Sequence, residues 1–588
     1  MKGVEFILEL LYVVLIGGGL LLGFQVNHLF FIMPFVGIAI MIIVNRVQQN
    51  KIRKKIKEEI EKNWGIEREE KRNFESIRRL WDEIKKDEIH KMDVDDITWN
   101  DLDMDFIFGK LDHTMSIAGQ QYLYSLFRCP LFDEEELKKR DAAIEGFMEN
   151  KDYAMSVQCR LHRIGKKYEV DILDYLMQGI KINQNPISTY YILQMLSILV
   201  VLSPIIIAFT HAFGILLIIG LVMINGMIYT NTKNKLLDGI IVFEYMSKIL
   251  KSANEIIKMM DKGEIYDLST LKSAFFKVKK IYNNIKWIEN FERASSGGDP
   301  TGIFTFINVL FLVEVKSFYR SINLINKYKN ELFTVYVELG KLDAYIALAS
   351  YKSSLKYYTK PVLDKDLPYH FKTVDIYHPL LRDPVPNSLE VAGRGVLLTG
   401  SNASGKSTFL KTVGINAIFA QTFYTVLAKD YSSSFFNVMT SIGTLDNIIG
   451  GDSYFMVEAK SLKRIIDVTG GEVPVLCILD EIFRGTNTAE RVSAACEVLK
   501  YLANKNCFVV AATHDMELTS LAKDIYDNYH FEEEVDDNDV RFNYLLQKGP
   551  SRSRNAIKIL RLLGYPEEIY DKAMNRANDI NIGQDNVL

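Results

Sequence analysis

The sequence predicts an α/β P-loop domain joined to a long all-α region that carries two transmembrane helical hairpins. Three observations support this prediction. A phosphate-loop signature follows an apolar strand and opens a helix. A second apolar strand ends in paired carboxylates. Elsewhere, apolar residues recur at helical spacing from Ile241 to Ala294 and from Phe318 to Ala349, and four long, predominantly apolar runs stand out from that pattern.

Gly400-Ser401-Asn402-Ala403-Ser404-Gly405-Lys406-Ser407 fits G-x-x-x-x-G-K-[ST], between the run Val396-Leu397-Leu398 and the helix-like stretch Thr408 to Ala420. In such a loop, backbone N–H groups at the positive end of a helix surround the phosphates. Lys406 then reaches the β- and γ-phosphates and Ser407 ligates Mg²⁺. Gly400 and Gly405 let the backbone approach with no Cβ in the way. Val475-Leu476-Cys477-Ile478-Leu479 is of strand length and runs into Asp480-Glu481. A buried parallel strand delivers such acids to the carboxyl edge of its sheet. There Asp480 is expected to serve the Mg²⁺ shell and Glu481 to polarise an attacking water. A buried strand followed by solvated acids is the plainer alternative, and the phosphate loop upstream argues against it. The expected chemistry is ATP hydrolysis.

From Tyr377 to Ala577 the chain resembles the MutS family, through six motifs in order. His378-Pro379 is similar to the family's HP dipeptide. Thr399 through Thr408 resembles TGPNxxGKST, with Ser401 in place of proline. Gly450-Gly451-Asp452-Ser453-Tyr454-Phe455-Met456-Val457-Glu458 is similar to G-x-S-T-F-M-V-E. Asp480-Glu481-Ile482-Phe483-Arg484-Gly485-Thr486-Asn487-Thr488 resembles DEIGRGTST, and Ala512-Thr513-His514 the ATH switch. Lys548-Gly549-Pro550-Ser551 and Leu563-Gly564-Tyr565-Pro566 echo its closing helical region.

The resemblance implies an ABC/MutS-type α/β P-loop ATPase domain with ATP and Mg²⁺ as cofactors. Gly400, Ser401, Asn402, Ala403, Ser404, Gly405, Lys406, Ser407 and Thr408 would hold the nucleotide. Ser407 and Asp480 would serve the metal, and Lys406, Glu481 and His514 the chemistry. His514 would sense or stabilise the γ-phosphate, its plainer alternative being a satisfied histidine at a strand end. Ser453 would act on the nucleotide of a second subunit, which implies a homodimer with composite sites. Tyr544 falls near the family's second base-contacting position, whereas the stacking aromatic near Pro384-Val385 is absent. Gln421 resembles a residue closing the first helix and is expected to touch metal or water. DNA, mismatched or branched, is the partner the resemblance implies.

Upstream, Leu111-Asp112-His113-Thr114, Gly119 and Pro130-Leu131, with Arg140 and Ile144, resemble the start of the family's core and lever. Leu342-Asp343-Ala344 with Leu348-Ala349 resembles the lever's returning helix. The runs Phe6–Phe24, Leu29–Val44, Tyr191–Phe209 and Phe213–Ile228 are roughly long enough to span a ~30 Å hydrocarbon core. Lysines and arginines flank the two pairs and are absent from their loops, which predicts a multi-pass cell-membrane protein with a cytoplasmic ATPase domain. Buried helices of a soluble bundle are the alternative for the second pair. The expected organisation is 1–45 first hairpin, 46–100 charged helical linker, 101–190 core and lever helices, 191–230 second hairpin, 231–360 returning lever helices, and 361–588 ATPase domain.

Composition bears on the partner. With 70 Lys and Arg against 74 Asp and Glu, the net charge of -4 gives no global attraction for nucleic acid. No F-x-E of the mismatch readers occurs before residue 100, no endonuclease-like extension is expected at the other end, and the second hairpin displaces the clamp region. Two readings therefore stand. One is a membrane-anchored MutS-like ATPase acting on DNA. The other is a membrane mechanoenzyme coupling ATP hydrolysis to a lipid or protein partner. An ABC exporter is disfavoured by the absence of L-S-G-G-Q. Cys129, Cys159, Cys477, Cys496 and Cys507 show no metal spacing and suit a reducing compartment.

Overall fold

A computed structural model describes all residues except 1–10, 12–13, 16–17, 20–21, 23–24, 68–69, 87–91, 169–171, 180–185, 211, 236, 261–264, 287–302, 365–368, 402–403, 444–453, 537–538, 552–563 and 586–588. The chain divides into two units. The first comprises Met1–Glu83, Asp112–Leu123 and Ala143–Ser353; the second comprises Ile84–Leu111, Tyr124–Ala142 and Ser354–Leu588.

The first unit is helical, and its spine is the helix Lys329–Lys352, buried almost without interruption from Leu339 onward. Asp343 on this helix is fully buried and supports the start of the helix Ile117–Arg128. Its carboxylate accepts from the N–H of Met115 at 3.0 Å, from the N–H of Ser116 at 2.8 Å and from Ser116 Oγ at 2.6 Å. Ser116 Oγ in turn accepts from the Gly119 N–H at 3.1 Å, one of the first N–H groups that find no partner within the helix, so the buried carboxylate holds the residue that caps it. The approach is close enough to require glycine on both sides. A Cβ on Gly119 would stand 2.3 Å from Asp343 Oδ2, and one on Gly340 would stand 2.5 Å from the Ala118 carbonyl. Asp112, also fully buried, accepts from Arg72 Nε at 3.0 Å, Gln120 Nε2 at 2.7 Å and Thr114 Oγ1 at 2.6 Å, with Lys166 Nζ at 3.4 Å.

Further along, the helices Ile303–Phe311 and Val313–Lys327 are separated by Leu312 in the left-handed region, φ 49°. The break frees carbonyls at the end of the first helix. Ser197 Oγ donates to the Phe311 carbonyl at 2.9 Å, and Asn225 Nδ2 donates to that of Leu310 at 2.8 Å. Tyr229 OH, donating to Glu314 Oε2 at 3.2 Å, and Asn308, accepting from the Glu314 N–H at 3.1 Å, complete a buried polar seam.

This seam bears on the expected membrane hairpins, 1–45 and 191–230, which are overturned together with the multi-pass cell-membrane placement, and the expected membrane partner gains no support. Among the described residues no helix is long and apolar enough to cross a membrane. The second apolar pair forms the helices Pro186–Thr210 and Ala212–Lys235, which carry Ser197, Asn225 and Tyr229 inward to the break at Leu312. Leu29–Val44 does not end at a boundary. It continues within the single helix Ile32–Lys62 into a charged half with Ile60 buried and Lys57 paired to Asp152 at 3.3 Å. Phe6–Phe24 falls largely outside the described residues. Hydropathy along a chain measures composition, and it scores burial against protein and burial in lipid alike.

The second unit holds two sheets. β1 (Val362–Asp364), β2 (His370–Ile376), β3 (Asn387–Ala392) and β5 (Asp430–Ser434) form one, in the order β1-β5-β2-β3. β4 (Gly395–Thr399), β6 (Asn437–Ser441), β7 (Val475–Asp480), β8 (Cys507–Ala512), β9 (Tyr526–Asp536) and β10 (Asp539–Lys548) form the other, in the order β10-β9-β4-β8-β7-β6. Only β10 runs antiparallel to its neighbour in this second sheet. Every residue of β7 and β8 is buried, as their unbroken apolar runs require of parallel strands covered on both faces. Helix Lys406–Phe423 leaves β4 and lies so close to the sheet that a Cβ on Gly414 would stand 2.8 Å from Ile478 Cδ1. Asp101 braces the end of β6, accepting from Thr440 Oγ1 at 2.7 Å and from the N–H groups of Ile442 and Gly443 at 2.9 and 3.0 Å.

The two buried aspartates of the first unit titrate in opposite directions. Burial pushes Asp343 up to about 6, against the hydrogen bonds from Ser116 and Met115. For Asp112 burial acts the same way, but Lys166, Thr114, Gln120 and Arg72 outweigh it and hold the carboxyl at about 2. A raised acid binds its proton more tightly when folded. The contribution of Asp343 is therefore complete below pH 3.8 and lost as pH rises through about 6. Asp343→Asn removes this titration. Relative to the variant, the wild type should lose about 3 kcal/mol of stability between pH 4 and pH 7, measured by urea unfolding across that range. Asp112→Ala leaves Arg72 and Lys166 facing a buried void and should cost about 3–5 kcal/mol in the same assay at pH 7.

Candidate nucleotide-binding site

The register of β4, β8 and β7 sets the site. Leu398 pairs with Ala512, and Ala512 pairs with Asp480, so the phosphate loop, the paired acids and the segment carrying His514 all leave the sheet at one edge. The Thr513 N–H donates to the Leu398 carbonyl at 2.9 Å, and the Glu481 N–H donates to that of Ala512 at 3.0 Å, extending both ladders by one residue.

Gly400 and Gly405 take φ of +139° and +106°, values only glycine adopts without strain. A Cβ on Gly400 would also stand 2.8 Å from the Phe531 carbonyl. Ser404 Oγ donates to the Ser401 carbonyl at 2.8 Å and closes the loop on itself. Lys406 is buried, and its Nζ donates to the carbonyls of Gly400 and Ser401, each at 2.7 Å, and lies 3.5 Å from His514 Nε2. Ser407 Oγ donates to Asp480 Oδ2 at 2.5 Å. Burial raises the Asp480 carboxyl in spite of Ser407, Arg484 and Lys406. Asn402, Ala403 and Ser453 fall outside the described residues.

Glu481 adopts φ 54° and Phe483 φ 63°, so the chain turns sharply after β7. Both Glu481 oxygens are engaged: Oε1 lies 2.7 Å from His514 Nε2, and Oε2 lies 2.5 Å from Arg484 Nε. Burial would raise the Glu481 carboxyl, but the His514 hydrogen bond and the Arg484 charge bring it below its ordinary value. The turn is held from a second side. Glu458, on the helix Tyr454–Val468, accepts from the backbone N–H groups of Gly485 and Arg484, and burial raises its own carboxyl. Asp515 is gripped by Arg491 at 2.8 and 2.6 Å, which fixes the segment just after His514.

Beside the loop opens a cavity of about 510 Å³, whose lining includes Tyr377, His378, Pro384, Val385, Phe409 and Tyr544. His378 is held neutral, burial and then Lys411 lowering it to about 4. Tyr544 comes from β10 and Thr408 from the helix after the loop, and both line this cavity. Gln421 is elsewhere. Its amide donates to the Phe436 carbonyl at 2.8 Å and accepts from the Phe436 N–H at 2.7 Å, so it ties the chain between β5 and β6 and does not reach the metal donors. The structure thus gathers Lys406, Ser407, Asp480, Glu481 and His514, sets Tyr544 and Thr408 beside them, and removes Gln421. Sequence reasoning passed over Arg484, Arg491 with Asp515, and Asn387 on β3. Arg484 lay inside a quoted motif, and the others carried no local signal.

Residues 396–581 match the sequence profile of MutS domain V. The chain is 32% identical over 240 residues to the DNA mismatch repair protein MutS of Thermus thermophilus, covering 40% of this chain and 29% of that one. It is 32% identical over 265 residues to the DNA mismatch repair protein MutS of Thermotoga maritima, covering 44% and 32%. With the DNA mismatch repair protein MSH3 of Candida glabrata it shares 29% identity over 321 residues, covering 52% and 30%. The chain therefore spans less than a third of the length of each of these relatives. Over the region that builds the phosphate loop, the paired acids and His514, the chain is similar to MutS family proteins.

Proposed function

We propose that this chain is a MutS-type ATPase that holds ATP and Mg²⁺ on Gly400 to Thr408, hydrolyses the nucleotide with Glu481 as general base, and couples this cycle to mismatched or branched DNA. The observation that carries the reading is the convergence, at one sheet edge, of Lys406, the Ser407–Asp480 pair 2.5 Å apart, and the Glu481–His514 pair 2.7 Å apart. The DNA part is supported by the relatives, which are named as DNA mismatch repair proteins. Composite sites in a homodimer follow from the placement of Ser453 in a segment similar to the family's signature.

Each residue has a task its geometry permits. Lys406 exchanges the Gly400 and Ser401 carbonyls for phosphate oxygens when nucleotide enters. His514, 3.5 Å from Lys406 and 2.7 Å from Glu481, is assigned to sense or stabilise the terminal phosphate. Glu481 takes the proton of the attacking water on the second lone pair of Oε1 or Oε2, the first being engaged by His514 or Arg484. Ser407 and Asp480 suit Mg²⁺. Both offer hard oxygen, and this ion characteristically takes one or two protein oxygens together with phosphates and water. When bound, the ion would neutralise charge on the transferring phosphoryl group.

Glu481→Gln should leave ATP affinity intact and reduce steady-state turnover by about 10²–10⁴-fold, measured as phosphate release alongside a nucleotide-binding titration. Arg484→Ala should shift the acidic limb of the pH–rate profile to higher pH. Glu481 must be ionised to act, and without Arg484 its carboxyl loses a charge that keeps it low. Phosphate release with homoduplex, heteroduplex and branched DNA at two salt concentrations tests the nucleic-acid part. Stimulation by heteroduplex or branched DNA that weakens with salt is expected; rates unchanged by every DNA would remove DNA from the proposal and leave the ATPase.

A further inference from the structure

Tyr544 stands in an unusual backbone position for an aromatic residue. Its φ is +55°, a left-handed conformation that costs a non-glycine residue about 1 kcal/mol or more and persists only where the surroundings enforce it. It lies where the pairing of β10 with β9 shifts register, between Phe542 and Leu546. Such a bulge re-aims side chains. Its ring stacks on Phe542 with centroids 5.9 Å apart, and its Cδ1 lies 3.2 Å from where a Cβ on Gly405 would be, so it forms the cavity wall next to the phosphate loop. Among the aromatic residues lining that cavity, Phe531, Phe409 and Tyr377 are 2%, 4% and 9% exposed, whereas Tyr544 is 43% exposed. Tyr544 is therefore the ring with a face available to a ligand.

Within the bulge Asn543 Oδ1 accepts from the Leu545 N–H at 3.0 Å, and from outside β10 a second amide side chain clamps it. Asn387, the first residue of β3, donates from Nδ2 to the Tyr544 carbonyl at 3.0 Å and to the Val385 carbonyl at 3.3 Å. Its Oδ1 accepts from the Leu546 N–H at 2.7 Å. The amide thus clamps the backbone at Tyr544 and two residues beyond it, and ties both to the segment that supplies Pro384 and Val385 to the same cavity. A side-chain amide suits this task because it presents a donor and an acceptor together, as the unpaired backbone of a bulge does.

We propose that Asn387 is the positioning residue for the nucleobase: it fixes the β10 bulge so that the Tyr544 ring forms a stacking wall for the base of a nucleotide whose phosphates lie on Gly400 to Ser407. The proposal rests on the ATP-binding reading. Asn387 acts through Tyr544 and does not itself need to touch the base. Its loss should weaken recognition of the base and leave recognition of the phosphates alone.

The experiment is a double-mutant cycle on the full chain. The affinity of a fluorescent ATP analogue is measured by titration, and the affinity of inorganic tripolyphosphate by competition. Tyr544→Ala should weaken the ATP analogue by about five- to a hundredfold, as expected for removing one base–aromatic stack. Asn387→Ala should weaken it by about tenfold, and the double variant should bind no more weakly than Tyr544→Ala. Tripolyphosphate affinity should stay within about twofold of wild type throughout. If Asn387→Ala does not fold, Asn387→Asp makes the same comparison, since it keeps the acceptor for the Leu546 N–H and loses the donor to Tyr544. The proposal is overturned if the Asn387 variant binds the analogue as wild type does, loses tripolyphosphate in parallel, or adds its full effect to that of Tyr544→Ala. A wild-type chain that binds neither ligand would overturn the ATP reading as well, whereas unchanged analogue affinity in the Asn387 variant overturns this inference alone.

Discussion

The alignment of three parallel strands is the constraint on which the site depends. Leu398, Ala512 and Asp480 stand side by side across β4, β8 and β7, and each of these chains then leaves the sheet. A slip of one residue in β7 would turn Asp480 to the opposite face and carry it away from Ser407, because side chains alternate along a strand. Burial prevents that slip. Every position of β7 and β8 is enclosed on both faces, so the polar residues can appear only where the strands end. The hydrophobic core therefore does more than stabilise the second unit, since it fixes the position at which its acids emerge.

Beyond the sheet edge, the site is held by strained backbone and by partners from distant parts of the chain. Glu481, Phe483 and Tyr544 all take positive φ, and each lies in a segment gripped from elsewhere. Glu458 and Arg484 hold the turn after β7, and Asn387 holds the bulge in β10. Left-handed conformations at non-glycine residues are retained where the surroundings over-determine them. Glu481 and Phe483 adopt them in the turn after β7 and Tyr544 in the wall of the adjoining cavity, while Leu312 adopts one at a helix break in the first unit.

What could be read in the sequence follows from the same physics. The phosphate loop and the acids after β7 were legible because they are local: a glycine where φ must be positive, a lysine at fixed spacing, an apolar run that stops at carboxylates. Lys406, Ser407, Asp480, Glu481 and His514 do meet. Asn387 was not legible, because its partner is 157 residues away and an asparagine at the head of a strand carries no signal of its own. Gln421 was misjudged for a related reason. Its resemblance to a family residue closing the first helix suggested the site, but Phe436 presents both backbone groups that a buried amide needs. The apolar pairs failed differently. Hydropathy weighed the many apolar residues of 191–228, while Ser197, Asn225 and Tyr229, few and scattered, carried the information that these helices meet protein backbone at a helix break.

Asp112 and Asp343 show why burial alone does not decide the state of a charged group. Both are enclosed completely, and both belong to stretches that the sequence marked as parts of one helical core. Desolvation is the largest single influence on each, and in each it favours the neutral acid. Asp343 meets that penalty mostly with neutral donors, backbone N–H groups and one hydroxyl just before a helix, while Lys166 lowers it without direct contact. Asp112 meets it with a lysine and an arginine as well as neutral donors, and its titration moves the opposite way. Opposite charge within a few ångströms in a poorly solvated setting outweighs desolvation where neutral hydrogen bonds do not. The two carboxylates consequently hold the first unit together by different means. Asp343 works as the support of a helix cap and tolerates a proton. Asp112 works as the centre of an ion cluster that needs its charge, and it adds an ionic link to segments that neutral bonds also hold, such as those from the Ile117 N–H to the Gly165 carbonyl and from Gln121 to the Ser76 carbonyl.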